Sequence, residues 1–246
     1  MINLKNKIIV VVGGNGLLGK EFVKQIRENE GIAINADINL DSDLDKHIFE
    51  CDITDENSIR NLIESVVNKF GRIDGWINTA YPRTADWGDR IDNIDFDSFR
   101  KNVDMHMNGY FIASKLAIDA MLPNQKGSLI NIASIYGVVG PDFTIYEGTK
   151  MSNSVTYAAI KGGIVNFTRF LASYYGGNGI RVNTVSPGGI FDNQPEPFLS
   201  NYNKKVPLKR MGTPQDIAPG VVYLLSDAAN YVTGQNLIID GGWTCI

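Results

Sequence analysis

The sequence alternates short, apolar, β-branched runs with longer segments in which apolar residues recur at helical spacing. A continuous apolar run of roughly four to eight residues is typical of a strand that is buried on both faces. Strands of this kind that alternate with amphipathic helices form a parallel sheet with helices on both sides, joined by right-handed crossovers. The pattern therefore predicts an α/β fold with a doubly wound, seven-stranded parallel sheet.

The alternation also predicts where the individual elements lie. The predicted strands are Ile8–Val12, Ile32–Ala36, Ile48–Asp52, Ile73–Thr79, Ser128–Ala133, Ile180–Ser186 and Asn236–Asp240. The predicted helices are Lys20–Glu28, Glu56–Phe70, Phe99–Met121, Ala158–Tyr175 and Pro214–Leu225. Segments 81–97, 140–156 and 187–210 fit neither period, and we expect them to be substrate loops at the carboxyl edge of the sheet. Because no repeat or low-complexity linker divides the chain, we predict one domain over residues 1–246.

A glycine-rich turn follows the first predicted strand and opens the first predicted helix. Gly13, Gly16 and Gly19 stand in the string GGNGLLG. In this setting the glycines allow a tight turn and a close approach of the backbone to a pyrophosphate at the helix N-terminus. We predict that Gly13, Gly16, Leu18 and Gly19 bind a dinucleotide in a Rossmann-type fold. The alternative is a tight turn without a ligand.

Carboxylates stand at the ends of the second and third predicted strands. Asp37 can accept hydrogen bonds from the adenosine ribose and repel a 2′-phosphate, and no Lys or Arg occupies positions 36–40. We therefore predict NAD(H) as the cofactor rather than NADP(H), the alternative for Asp37 being a solvated strand end. Asp52 and Ile53 are predicted to lie at the adenine.

Four further motifs occur in order along the chain. They are Asn78-Thr79-Ala80, Asn131-Ile132-Ala133-Ser134, Tyr157-Ala158-Ala159-Ile160-Lys161 and Ser186-Pro187-Gly188, followed by Tyr231–Gln235 and Asp240–Gly242. This set resembles the short-chain dehydrogenase/reductase family over practically the entire chain. The resemblance implies an NAD-dependent oxidoreductase acting on a CH–OH group of a small-molecule substrate. It also places Asn78, Ala80, Pro187, Gly188 and Ile190 at the cofactor.

The third motif carries the predicted acid/base chemistry. Tyr157 and Lys161 are four residues apart and share one helix face. A phenol is a poor base at neutral pH, and a neighbouring ammonium stabilises its phenolate. We predict that Tyr157 is the general acid/base and that Ser134 hydrogen-bonds to the reacting oxygen. The resemblance adds that Lys161 holds the nicotinamide ribose. Taken singly, these residues have structural alternatives, with Tyr157 in the core and Lys161 in solvent.

A second Tyr-x-x-x-Lys string, Tyr146 to Lys150, lies just upstream. Residues 151–154 after it lack apolar helical spacing, whereas Ile160 and Ile164 after Tyr157 have it. We therefore predict that Tyr157 is the catalytic tyrosine and that residues 141–153 are an insertion. The insertion either faces the substrate or decorates the surface.

The chain departs from the family pattern on the fourth predicted helix and after Pro187. His106 occupies the position of an asparagine that, in the family, holds a water in a proton relay through the lysine. Because an imidazole both donates and accepts, we predict that His106 serves the catalytic relay or titrates near neutrality. The alternative is that His106 fills a helix bend. Asp192 replaces a threonine, and its role stays open.

A narrower resemblance lies in the less common strings Tyr81-Pro82-Arg83, Ser134–Gly137 and Gly188–Phe198. They are similar to the flagellin modification protein A group of bacterial short-chain dehydrogenases. That resemblance implies a sugar or sugar-phosphate substrate, in the synthesis of nine-carbon sugars for flagellin or surface glycans. Arg83 and Arg90 are candidate ligands for a phosphate or carboxylate. The alternatives are a sugar epimerase or dehydratase that retains NAD, and a non-catalytic NAD-binding subunit.

Composition narrows the classes of partner. A formal net charge of −4 argues against nucleic acid or an anionic membrane surface as partners. No apolar run near the start is long enough for a membrane span, so we expect a cytoplasmic protein. Two histidines exclude a histidine-rich metal site, and we predict no metal. The family resemblance implies a homodimer or homotetramer.

Overall fold

Seven strands form one parallel sheet in the computed structural model, which describes residues 2–246. The strands are β1 (Ile8–Val12), β2 (Ile32–Asp37), β3 (Ile48–Glu50), β4 (Gly75–Asn78), β5 (Gly127–Ile132), β6 (Ile180–Pro187) and β7 (Asn236–Ile239). Their order is β3-β2-β1-β4-β5-β6-β7, and all neighbours pair in parallel. The predicted fold class is confirmed.

The helices cover both faces of this sheet. They are α1 (Leu17–Glu28), α2 (Glu56–Phe70), α3 (Phe96–Asn102), α4 (Gly109–Met121), α5 (Val155–Tyr175), α6 (Phe198–Lys205) and α7 (Pro214–Leu225). The helix predicted over Phe99–Met121 is present as one continuous helical stretch that begins at Phe96, and it contains a π-helical segment, Val103–Asn108, between α3 and α4. Helix α6 lies in a segment predicted to lack regular structure. Its eight residues are too few to show a clear period, and they bury only Phe198 and Tyr202.

The alternation of side chains along β1 divides the core into two layers. Val10 and Val12 pack in the cluster beneath α2, α4 and α5, whereas Ile9 and Val11 pack in the cluster beneath α1 and α7. Successive strand residues point to opposite faces, so a run that is apolar throughout is buried on both sides. A third cluster, which includes Ile145, Phe198 and Trp243, packs the predicted insertion against α6.

The position of β1 in the strand order decides where a ligand crevice forms. The chain proceeds from β1 to β2 and β3 on one side, and from β4 to β7 on the other. Connections that leave in opposite directions open a crevice at the carboxyl ends of the strands.

Within residues 2–246, no helix combines the length and the apolar character needed to cross a membrane.

Candidate active site

A cleft of about 960 Å³ lies at the carboxyl ends of the strands. Its volume is at the upper end of the usual range for small-molecule sites. Most residues predicted for the cofactor and for catalysis line it, namely Gly13, Gly16, Leu18, Asp37, Asp52, Ile53, Ala80, Ser134, Tyr157, Lys161, Pro187, Gly188 and Ile190. Three predicted residues, Gly19, Asn78 and His106, are absent from its lining.

The backbone packing of the glycine turn leaves no room for a side chain at Gly13 or Gly19. Gly13 has φ +86°, and a Cβ on it would lie 2.4 Å from the backbone nitrogen of Ala80. A Cβ on Gly19 would lie 2.1 Å from the carbonyl oxygen of Gly13. Both contacts are too short for real atoms, so these glycines allow the turn to pack against the β4 end and against α1. Gly19 therefore supports the turn through its close approach to Gly13 and does not itself line the cleft.

The N-terminus of α1 opens into the cleft without a side-chain cap. Gly16 is its N-cap residue, its first turn carries no acidic side chain, and Leu17 and Leu18 line the cleft. Asp55, by contrast, caps α2 by accepting a hydrogen bond from the Asn57 N–H. Uncapped N–H groups at the positive end of a helix dipole fit a pyrophosphate. This end of the cleft therefore fits a dinucleotide.

The carboxylate of Asp37 stands at the same end. It accepts hydrogen bonds from the Asn15 N–H at 2.7 Å and from the Ile38 N–H at 2.8 Å. A carboxylate offers about four lone pairs, which leaves acceptor capacity for ribose hydroxyls. The basic side chains among the described lining residues are Arg83 and Lys161, and both belong to the other end of the cleft. The adenosine end therefore offers no cation to a 2′-phosphate.

Helix α5 carries Tyr157 and Lys161 in its first two turns. Ser154 is its N-cap residue, and the helix runs from Val155 without a break. Tyr146 ends a short 3₁₀ turn, Phe143–Tyr146, and Lys150 follows outside any helix. The structure thus places only the downstream tyrosine and lysine on a common helix face, as predicted.

The three predicted catalytic side chains converge at the end of β5. Burial raises the pKa of Tyr157, and the neighbouring Ser134 hydroxyl has a smaller, opposite effect. The Lys161 Nζ donates to the Ile132 carbonyl at 2.8 Å and lies 5.5 Å from the centre of the Tyr157 ring. Burial lowers the pKa of Lys161 to about 7. Its ammonium can therefore release a proton near neutrality.

His106 lies behind Lys161 and not in the cleft. It is buried in the π-helical segment Val103–Asn108, and its Nε2 lies 3.4 Å from the Lys161 Nζ. Burial and the charge of Lys161 hold the pKa of His106 well below its ordinary value. Of the two alternatives for His106, this environment favours the relay over titration near neutrality, because a dry environment and an ammonium both disfavour imidazolium.

Asn78, predicted at the cofactor, belongs to a buried polar network beneath the cleft. Its Oδ1 accepts from the Trp76 Nε1–H at 2.7 Å, and its Nδ2 donates to Asn131 at 2.9 Å and Ser114 at 3.0 Å. Asn131 in turn donates to the Thr168 hydroxyl at 3.0 Å. The side chain of Asn78 thus ties β4 to β5 and α4, and it does not line the cleft.

Aromatic side chains form the wall around Tyr157, and sequence analysis missed most of them. They are Tyr81, Trp87, Tyr136, Tyr146, Phe198 and Tyr202. All lie outside the predicted strands and helices, where no periodicity distinguishes a lining residue from an exposed one. Tyr146, Met151, Ser152 and Asn153 bring the predicted insertion to the cleft. Of the two alternatives for residues 141–153, the structure supports the substrate-facing one.

The insertion is attached to α6. Asn201 donates to the carbonyl oxygens of Ile145 at 3.4 Å and Glu147 at 3.2 Å, and Lys205 pairs with Asp142. These contacts hold two loops of the cleft together.

Across the described part of the chain, no group of three or more His, Cys, Asp and Glu residues is close enough to hold a metal ion.

Comparisons with known proteins agree with this geometry. A family model described as enoyl-(acyl carrier protein) reductase matches residues 33–244. The chain is 38% identical to post-translational flagellin modification protein A of Campylobacter coli, covering 98% of this chain and 99% of that protein. It is 34% identical to a 2,5-dichloro-2,5-cyclohexadiene-1,4-diol dehydrogenase of Sphingobium indicum, with both chains covered completely.

A solved structure matches as well. The crystal structure of a short chain dehydrogenase from Leptospira borgpetersenii with bound NAD+ superposes with a TM-score of 0.86 and 35% identity. The match covers 98% of this chain and 94% of that one. With the sheet order, the uncapped glycine turn and the Ser134, Tyr157 and Lys161 cluster, these matches show that the chain belongs to the short-chain dehydrogenase/reductase family.

Proposed function

We propose that the protein is an NAD(H)-dependent oxidoreductase that interconverts a secondary alcohol and a ketone on a small polar substrate. The observation that carries this proposal is the cleft itself. One end fits a dinucleotide, and the other end brings Ser134, Tyr157 and Lys161 together. The relative that carries bound NAD+ in its crystal structure supports the choice of cofactor, and so does the carboxylate of Asp37.

The residues of this chain supply the proton chemistry. Bound NAD would accept the hydride that leaves the substrate carbon. Tyr157 takes the proton of the substrate hydroxyl in the oxidation and returns it in the reduction. Ser134 donates a hydrogen bond to the reacting oxygen, and the nearby Lys161 ammonium stabilises the phenolate of Tyr157. Burial raises the pKa of Tyr157, so this phenolate depends on the charge of Lys161.

His106 is proposed as a positioning residue and as the next group in the relay. Its neutral imidazole can accept a hydrogen bond from the Lys161 Nζ, which lies 3.4 Å away. Contact with an imidazole would replace the water that an asparagine holds in other family members. Tyr81 and Tyr110 pack against the imidazole ring at 5.2 and 4.9 Å, which restricts its orientation.

The substrate is proposed to be a carbohydrate, a sugar or sugar phosphate used for flagellin or another surface glycan. The flagellin modification protein A of Campylobacter coli supports this assignment, since the similarity extends over the full length of both chains. Aromatic side chains such as Trp87 and Tyr146 line the substrate end. Aromatic rings of this kind can pack on the apolar face of a sugar ring while hydroxyl groups supply orientation.

The test is NADH absorbance at 340 nm with purified protein, NAD and a panel of sugar phosphates and nucleotide sugars. Tyr157→Phe should lower kcat roughly 100-fold or more, because it removes the proton carrier. Tyr231→Phe, at a fully exposed tyrosine that does not line the cleft, is the matched control. Equal activity of Tyr157→Phe and the wild type would contradict the proposed mechanism. Product formation without a change in NADH would favour an enzyme that retains NAD.

Association through α4 and α5 is a further part of the proposal. Phe111, Phe170 and Tyr174 expose between 50% and 68% of their surface on these helices, whereas Tyr110 and Leu171 are buried against the sheet. Exposed aromatic groups that lie together are typical of a protein interface. Light scattering of the wild type and of Phe170→Arg would measure the oligomer, and an unchanged mass would argue against this face.

A further inference from the structure

Arg83 packs against two aromatic rings in the cleft, Tyr81 and Trp87, whose own centres lie 5.3 Å apart. Its guanidinium carbon lies 4.9 Å from the centre of the Tyr81 ring and 5.2 Å from that of Trp87. Arginine stacks readily on aromatic faces, and such contacts restrict a side chain that is otherwise flexible. All three residues line the cleft. Arg83 is exposed, and these ring contacts narrow the positions that its guanidinium takes in the absence of a ligand.

This cation has no protein anion as a partner. Arg60, Arg72, Arg100 and Arg210 each form an ion pair with a carboxylate. Among residues 2–246, no carboxylate lies within ion-pair distance of Arg83, and its guanidinium makes no hydrogen bond. The nearby carboxylate of Asp86 is engaged elsewhere, accepting a hydrogen bond from Ser98 at 2.7 Å. The five N–H donors of Arg83 are thus free for an anion in the cleft.

The arginine lies next to the proposed reaction centre. The Tyr81 ring contacts the Tyr157 ring at 5.4 Å, and the Trp87 ring lies 6.2 Å from it. The two rings that the guanidinium contacts therefore also lie beside the catalytic phenol. Arg90, in the same loop, does not line the cleft. Of the two arginines that the sequence nominates as anion ligands, only one reaches the substrate end.

We propose that Arg83, packed against Tyr81 and Trp87, binds a carboxylate or phosphate group of the substrate. This inference rests on the proposed function and extends it, because it makes an anionic substituent near the reacting carbon part of substrate recognition. The substrate would then be fixed at two points, at its anion by a bidentate contact with the guanidinium and at its reacting oxygen by Ser134 and Tyr157. A neutral analogue would keep only the contact at the reacting oxygen.

The first test compares ketones that differ in charge. NADH oxidation is followed with levulinate against methyl levulinate, and with dihydroxyacetone phosphate against dihydroxyacetone. Arg83→Gln should lower the ratio of kcat/KM between charged and neutral ketone roughly 10- to 100-fold, the range for one charge-assisted contact. Arg90→Gln, the matched control, should retain the ratio. In the wild type, a larger charged-to-neutral ratio of kcat/KM for the levulinate pair would indicate a carboxylate site, and a larger ratio for the dihydroxyacetone pair would indicate a phosphate site. An unchanged ratio in Arg83→Gln would overturn the proposal.

A binding measurement separates this proposal from the proposed function. Inorganic phosphate and acetate are titrated into the protein saturated with NAD, and the fluorescence of Trp87 reports their binding beside Arg83. The wild type and Tyr157→Phe should both respond, Arg83→Gln should bind at least 10-fold more weakly, and Trp87→Phe should lose the signal.

The outcomes of this titration are independent of turnover. Anion binding that depends on Arg83, without turnover of any ketone, would support the anion site and count against the proposed dehydrogenase activity. Turnover that depends on Tyr157, without a response to either anion, would support the activity and overturn the anion site. If NAD itself fails to bind, the titration is made on the free protein, where the Trp87→Phe control still localises the signal.

Discussion

Replacing Lys161 with methionine is expected to stabilise the cofactor-free protein while abolishing its proposed activity. Burial lowers the pKa of this lysine from its ordinary 10.5 to about 7. Between these two values the unfolded chain keeps the proton and the folded protein releases it, so stability rises with pH over that window. Below pH 7 the folded protein carries the full cost of a buried ammonium. Methionine has a similar length and no charge, and it removes this cost.

The size of the effect follows from the pKa shift. At about 1.4 kcal/mol per pKa unit, the buried ammonium costs about 5 kcal/mol well below pH 7. Methionine leaves the Ile132 carbonyl, 2.8 Å from the lysine Nζ, without its donor, which costs about 1–3 kcal/mol. The net gain for Lys161→Met is therefore about 2–4 kcal/mol at pH 6. Between pH 6 and pH 9 the destabilisation of the wild type by the buried Lys161 falls by about 3 kcal/mol, because the folded protein loses the proton. The stability advantage of Lys161→Met over the wild type therefore nearly vanishes at pH 9.

Urea unfolding of the cofactor-free wild type and variant at pH 6 and pH 9 measures this difference. Titratable groups remote from Lys161 contribute equally in both proteins and cancel in the comparison, and burial, the larger cause of the low pKa of His106, remains in the variant. Lys150→Met, at an exposed lysine of the upstream motif, is the matched control and should show no pH-dependent difference. A stability difference between Lys161→Met and the wild type that stays constant from pH 6 to pH 9 would refute the reasoning. It would mean that the buried lysine keeps its proton throughout.

Three further changes test the cleft and its support. Gly19→Ala should weaken NAD binding at least 10-fold in calorimetry, because its Cβ would lie 2.1 Å from the Gly13 carbonyl and force the turn apart; unchanged affinity would show that the turn adapts. Asp37→Ser should shift the ratio of kcat/KM between NADPH and NADH by roughly 10-fold toward NADPH, since it removes the charge that repels a 2′-phosphate. An unaltered ratio would place the discrimination elsewhere. Asn78→Leu should lower the free energy of unfolding by about 2–4 kcal/mol in urea, because Asn131 and a buried indole N–H lose partners. Wild-type stability would show that water replaces the amide.

The features that the sequence predicted well depend on short-range patterns. The five residues of β1 are apolar throughout and buried on both faces, and the predicted limits of this strand agree with the structure. The same holds for α2 and α7, whose limits match the predicted ones. The helical spacing after Tyr157 identified the helix that carries it, although a similar string lay upstream. In each case the period of a single element carries the information.

The features that the sequence missed depend on contacts between distant segments. The helical pattern continues through Val103–Asn108, so nothing local marks the change to π-helical hydrogen bonding around His106. Asn78 belongs to a motif that the family resemblance places at the cofactor, but its hydrogen bonds go to Asn131 and Ser114 on neighbouring elements. His106 and Lys161 become buried beside each other only when α5 packs on that segment, and burial lowers the pKa of each.

The sequence by itself therefore determined the parallel sheet, the glycine turn, the position of Asp37 at the cleft and the helix of Tyr157. These follow from side-chain period, from glycine spacing and from the order of motifs, which are properties of contiguous residues. Only the tertiary structure decided that Arg83 rather than Arg90 faces the cleft, and that Tyr81 and Trp87 hold it there. Loop residues have no period, so packing against other parts of the fold decides which side chains reach the substrate.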